Sequence, residues 1–90
     1  MSNKFTDLHC KEVVCINDGR RLGYIADARI ELPEGRISAL IVPCPSRLPL
    51  GHHREDFVIP WKQVCRIGPD IVLVDIRPEE CRVPRHKRLL

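Results

Sequence analysis

Asn17-Asp18-Gly19-Arg20-Arg21-Leu22-Gly23-Tyr24-Ile25-Ala26-Asp27 and Ile67-Gly68-Pro69-Asp70-Ile71-Val72-Leu73-Val74-Asp75 decide the fold, with Val58-Ile59-Pro60-Trp61 lying between them. Each long stretch joins a turn to β-rich residues. Asn-Asp-Gly and Gly-Pro-Asp supply the backbone freedom and preset angles that a tight reversal needs, and the flanking runs are alternating or wholly apolar. An all-β domain follows.

Working outward, Phe5-Thr6-Asp7-Leu8-His9 has a cap residue and two apolar residues three apart, which predicts one helical turn. Six strands are predicted after it. The first is Glu12 to Ile16. The second reads Tyr24, Ala26, Ala28, Ile30 and Leu32 on a buried face against Asp27, Arg29 and Glu31 on a wet one. Pro33-Glu34-Gly35 turns the chain into Arg36 to Val42, whose near-continuous apolar run predicts cover on both faces. Prolines 43, 45 and 49 and Gly51 deny regular structure through Glu55, making 43 to 55 a long loop. Asp56 to Ile59, Val64 to Ile67 and Ile71 to Asp75 complete the set. Consecutive short connections favour a small antiparallel barrel.

The 90 residues allow one domain, which at this size buries only about 60% of its unfolded surface. The narrow margin, together with open strand edges, predicts a homodimer or a longer assembly through those edges. Aromatic residues are only Phe5, Tyr24, Phe57 and Trp61, so the core must be aliphatic and the stacking platform of a single-strand nucleic-acid binder is excluded. Charge is divided by position. Residues 1 to 75 hold ten basic and ten acidic side chains, while residues 76 to 90 hold five basic against two acidic. The excess of +3 lies entirely in the tail. Pro78, Pro84 and the clustered charge there predict a disordered or loosely packed segment, so the domain is expected over residues 5 to 76 and the basic tail over 77 to 90, with little stability lost on removing the tail.

No run approaches the roughly 18 apolar residues of a membrane helix, and no signal-peptide pattern opens the chain, which together predict a cytoplasmic protein without a membrane span. Cysteines at 10, 15, 44, 65 and 81 are odd in number and form no Cys-x-x-Cys; reduced thiols are expected. His9, Cys10, Cys44, His52, His53, Cys65, Cys81 and His86 are zinc-ligand types, but structural zinc sites pair ligands two to four residues apart, and the close pairs here are adjacent. No metal and no cofactor are predicted. Cys44 near His52 or His53 lacks a third orienting group and oxyanion donors, so no catalytic residue is assigned either. Arg20 and Arg21 read as solvated turn residues, and Asp27, Glu31, Glu55 and Asp56 lack the spacing of a metal loop or a carboxylate pair.

In order and spacing, the chain resembles the PRC-barrel domain, found in the photosynthetic reaction centre H subunit and at the end of a ribosomal RNA maturation factor. More narrowly, Lys11-Glu12-Val13-Val14-Cys15-Ile16-Asn17-Asp18-Gly19-Arg20-Arg21-Leu22-Gly23, Gly35-Arg36-Ile37-Ser38-Ala39-Leu40-Ile41-Val42-Pro43, Val58-Ile59-Pro60-Trp61 and Ile67 to Asp75 are similar to the YlmC/YmxH-type sporulation proteins of spore-forming bacteria. The likeness covers residues 5 to 76. It implies a small antiparallel PRC-type barrel with no enzymatic activity, used as a protein-docking module. Where that family carries an aromatic Phe-Phe-Gly-Leu-Phe-Gly-like loop, this chain has Leu48-Pro49-Leu50-Gly51-His52-His53.

The expected partner is therefore a protein, held by Leu48, Leu50, His52, His53 and Trp61 together with the barrel edges. The alternative is an RNA- or ribosome-associated factor using Arg82, Arg85, Lys87 and Arg88 of the tail on phosphates.

Overall fold

A computed structural model of the chain describes residues 5–45 and 55–84. From the helical turn α1 (Phe5–Leu8) the chain passes through β1 (Glu12–Cys15), β2 (Arg21–Tyr24), β3 (Asp27–Glu31), β4 (Arg36–Pro43) and β5 (Glu55–Pro60). A three-ten turn at Trp61–Gln63 leads to β6 (Val64–Ile67) and β7 (Ile71–Val74), and a second at Pro78–Cys81 leads to β8 (Arg82–Pro84). The strands form two four-stranded sheets, ordered β2-β1-β7-β6 and β3-β4-β5-β8. Among the described residues no helix is long and apolar enough to cross a membrane.

The all-β expectation holds, while strand number, pairing and closure are corrected. Among the described residues eight strands replace six, and the two sheets are not closed into one barrel. The first sheet is not wholly antiparallel either, because β1 and β7 pair in parallel with Glu12 opposite Ile71 and Cys15 opposite Val74. Hairpin logic reaches only consecutive strands, and these two are separated by most of the domain.

The predicted second strand is divided between the sheets. Ile25 and Ala26 interrupt it, with Ile25 buried to 2% and the Ala26 N–H donating to the Ile41 carbonyl at 2.9 Å. Pairing to β4 then slips by one residue between Arg29 and Ile30. Because side chains alternate with a period of two, each irregularity changes which residues face inward. Tyr24, Ile30 and Leu32, expected inside, are exposed by 57%, 55% and 83%. Leu40 to Val42 of β4 are buried on both faces, as the apolar run predicted.

The core lies between the sheets. Val13, Cys15, Val72 and Val74 come from the first sheet, and Leu40, Val42, Phe57 and Ile59 from the second. Leu8 of α1 closes one side of it. Gly23 of β2 stands against β4 of the other sheet: its φ of +124° disfavours any side chain, and an added Cβ would stand 3.4 Å from Val42 Cγ1. In the β1–β2 turn only Gly19 takes a positive φ; Asn17 and Asp18 do not, so this is a wider turn closed by the Gly19 N–H on the Cys15 carbonyl at 2.9 Å.

Order does not stop at Ile76. Pro78 is buried, and β8 pairs antiparallel with β5 by setting Val83 opposite Asp56 and Arg82 opposite Phe57. Residues 77–84, expected as loose tail, are therefore ordered, and Arg82–Pro84 extend the second sheet. The sequence signal was hidden because three residues are too few to show alternation and two of them are Arg and Pro.

Candidate interaction surface

Of the residues expected to hold a partner, Trp61 is described. It opens the three-ten turn that follows β5 and is 37% exposed, its position fixed by Pro60, which pairs with Ala39 on β4 yet cannot extend the ladder with an N–H. Leu48, Leu50, His52 and His53 lie outside the described residues, as do Arg85, Lys87 and Arg88 of the phosphate-binding alternative. Arg82 is described, and its guanidinium is already engaged. Nη1 stands 3.6 Å from Glu55 Oε1, Nε stands 3.2 Å from Glu79 Oε2 without the alignment of a hydrogen bond, and the group lies 5.5 Å over the Phe57 ring. Glu79 is shared, since its Oε1 accepts from Arg20 Nη1 at 3.2 Å.

Arg20, Glu79, Arg82 and Glu55 thus form a chain of alternating charge that links the β1–β2 hairpin of one sheet to β8 and β5 of the other. Its exposed members contribute little singly, but the half-buried Arg82 is fixed by three neighbours at once. Beside this chain Asn17 Nδ2 donates to Asp75 Oδ1 at 2.9 Å, tying the hairpin to the segment that leaves β7. An open cleft of about 630 Å³ lies here, lined in part by Pro60, Gln63, Asp75 and Glu80. Its carboxylates are engaged, Asp75 by Asn17, Glu79 by Arg20 and Arg82, and Glu80 by Arg77 at 3.8 Å.

Among the described residues no three His, Cys, Asp or Glu side chains stand together as a metal site. Cys10 and Cys65 are exposed, Cys15 is buried, and Cys44 and Cys81 are half-buried. Burial pushes the Cys44 thiol above its ordinary value; nearby Arg82 opposes this, and Glu55, Asp56 and Glu79 add to it. Burial likewise raises Cys81, with Glu80 adding to the effect. Because the thiolate is the nucleophile, a raised value leaves these thiols less reactive at neutral pH. The Cys15 Sγ–H, fully enclosed, donates to the Ile76 carbonyl at 3.1 Å.

Alkylation with iodoacetamide at pH 7.5, followed by mass spectrometry, should modify Cys10 and Cys65 at least about tenfold faster than Cys44 and Cys81, with Cys15 slowest. Equal rates at all five positions would contradict this packing. The folded Cys44 and Cys81 titrate above the unfolded thiols. Their share of stability is therefore present below the ordinary thiol value of about 8.5 and is lost as pH rises through the raised values.

The described surface also carries residues that sequence patterning had placed in the core. Tyr24 ends the edge strand β2, Ile30 lies on the edge strand β3, and Leu32 stands in the turn that leaves it. Nothing in the alternation of residues 24 to 32 distinguishes them; only the break at Ile25 and Ala26 does.

The sequence matches the model of the PRC-barrel domain over residues 2–80. It is 35% identical over 71 residues to the probable sporulation protein YlmC of Bacillus subtilis, covering 77% of this chain and 86% of that protein. It is 33% identical to the uncharacterized protein YmxH of the same organism over 79 residues, covering 86% and 92% of the two chains. An uncharacterized protein of Clostridium acetobutylicum is 30% identical over 74 residues, covering 82% and 85%.

Proposed function

Since this chain belongs to the PRC-barrel family, we propose that it is a non-enzymatic docking module of the sporulation-associated kind, binding a protein partner through its strand edges and the 43–55 loop. The observation that carries this reading is the placement of exposed apolar side chains on an edge left unpaired among the described residues, with Ile30 at 55% and Leu32 at 83% along and just beyond β3. A soluble chain of this size ordinarily covers such edges or charges them. An unpaired edge offers a partner backbone hydrogen bonds, and flanking apolar residues give that contact its energy. The name of the YlmC relative supports a role connected with sporulation. We place the protein in the cytoplasm, acting as a homodimer.

The partner's grip should rest on a few apolar anchors, because binding energy concentrates in buried side chains and rim charges add little. With a protein partner isolated by affinity capture after nuclease treatment, Leu50→Ala and Trp61→Ala are expected to weaken the complex by about 1–3 kcal/mol, circular dichroism showing the fold intact. Neutralising Arg85, Lys87 and Arg88 together should leave it nearly unchanged. The reverse pattern, with binding abolished by tail neutralisation and by added salt, would sink the docking reading in favour of nucleic acid.

A further inference from the structure

Four strands form the sheet edges among the described residues, and one of them is self-complementary in charge. β2 and β6 carry an arginine and no carboxylate, and β8 carries an arginine and ends on a proline. β3 differs. It reads Asp27-Ala28-Arg29-Ile30-Glu31, both signs alternating with a small or apolar residue. Arg29 and Glu31 are exposed, and among the described residues neither side chain has an ion pair.

The backbone of β3 fixes which residue can join a further strand. The Arg29 carbonyl faces β4, where Ser38 Oγ donates to it at 3.3 Å. Backbone groups in an antiparallel strand point to alternate sides, and the extra residue at the β3–β4 irregularity, Ser38, lies on β4, so alternation along β3 continues. The N–H and carbonyl of Ile30 therefore point out of the sheet edge. So does the Ala28 N–H, but it already donates to Asp27 Oδ1 at 2.8 Å.

Three two-fold registers bring β3 antiparallel to itself. Centred on Arg29, the pairing sets Arg29 against its own copy and Asp27 against Glu31, which like charge opposes. Centred on Ala28, it needs the N–H groups of Ala28 and Ala26, and the second of these is bound to the Ile41 carbonyl at 2.9 Å. Centred on Ile30, it exchanges the outward N–H and carbonyl of Ile30 and sets Arg29 opposite Glu31 of the second copy twice. The same register sets Ala28 opposite Leu32. Ala28 packs against the core, so the face it shares with Ile30 is the inner one, on which Ile30 and the neighbouring Leu32, 55% and 83% exposed, extend past the core's cover. Two copies would cover these overhangs mutually. A foreign strand would have to match this spacing of charge and apolar residues, whereas a second copy carries it by symmetry.

We propose that the β3 edge docks a second copy of this chain, antiparallel about a two-fold axis at Ile30, with two Arg29–Glu31 pairs on one face and Ile30 and Leu32 of both copies clustered on the other. The β3-β4-β5-β8 sheet then runs through both copies as eight strands. The inference rests on the reading above that this edge docks a protein, and it names that protein. A contact of five residues per copy is small beside the roughly 1,200–2,000 Å² of standard interfaces, so the dimer is expected to dissociate in the micromolar range.

Sedimentation velocity of the full chain over a concentration series tests this with two charge reversals. Arg29→Glu and Glu31→Arg should each weaken self-association at least about tenfold, since each sets like charges opposite one another twice. Mixed in equal amounts, the two variants should associate one to one about as tightly as the parent, because every opposed pair is then of unlike charge. Both positions are exposed, so circular dichroism of each variant should match the parent. Overturning results are a parent that stays monomeric through high micromolar concentration, a dimer that either variant leaves intact, or two weakened variants whose mixture does not reassociate. Any of these leaves the docking reading standing while a captured partner still depends on Leu50 and Trp61. Loss of that dependence fails the docking reading and leaves the charge-reversal result as it was.

Discussion

Phe57→Ala is expected to be the most damaging single substitution in the described structure, lowering stability by about 3–5 kcal/mol. Phe57 is the largest fully buried side chain, 1% exposed, and it sits on β5 opposite Val42 with the Arg82 guanidinium over its ring. Truncation removes the transfer energy of the ring and leaves a cavity between sheets that cannot collapse independently, because each is held by its own ladder. A chain of 90 residues has roughly 5–13 kcal/mol in all, so the variant should be partly unfolded at ambient temperature. Urea unfolding monitored by circular dichroism reads this directly as a lower midpoint at unchanged slope. Leu32→Ala is the contrast. Leu32 is 83% exposed, and its loss should change stability by no more than about 0.5 kcal/mol. Equal effects at the two positions would mean that the core does not lie between the sheets.

That contrast also marks how far the residues themselves could be read. The turns at Asn17 to Gly19 and Gly68 to Asp70, and the strands β1, β6 and β7 beside them, were legible because local chemistry dictates them: Gly19 takes the positive φ, and the Gly68 N–H closes its turn on the Ile71 carbonyl at 2.8 Å. The doubly covered β4 was legible because an unbroken apolar run has no wet side. The parallel pairing of β1 with β7 was not, since nothing in either strand names a partner nearly sixty residues away. The division of residues 24 to 32 between two sheets hides in an alternation that stays regular across Ile25 and Ala26 while the backbone does not. The proposed docking surface suffers from the same cause. Leu32 reads as core by pattern and is surface by geometry, whereas Trp61 could be flagged from its Pro60 neighbour alone.

Cutting the chain after Ile76 gives the second large effect, and it separates composition from structure most sharply. Proline and charge in residues 77 to 84 describe a solvated tail, yet there Pro78 is buried and Glu79 joins the β1–β2 hairpin to Arg82. β8 supplies the ladder on the open side of β5. Removing them uncovers the Arg82 side of Phe57, strips β5 of its partner at Glu55 to Phe57, and leaves the buried Asp56 at a new sheet edge. Lost apolar burial and three residues of pairing should together cost about 2 kcal/mol or more. For a domain of this length that corresponds to a fall in melting temperature of about 8–16 °C. The control is a cut after Pro84, which keeps β8, so the difference between the two chains measures that strand and its turn. If both shortened chains melted at the same temperature, β8 would contribute nothing and the boundary at Ile76 would be the physical one. If only the shorter chain is destabilised, the arginine that charge counting assigned to a phosphate-binding tail serves instead to hold the two sheets together.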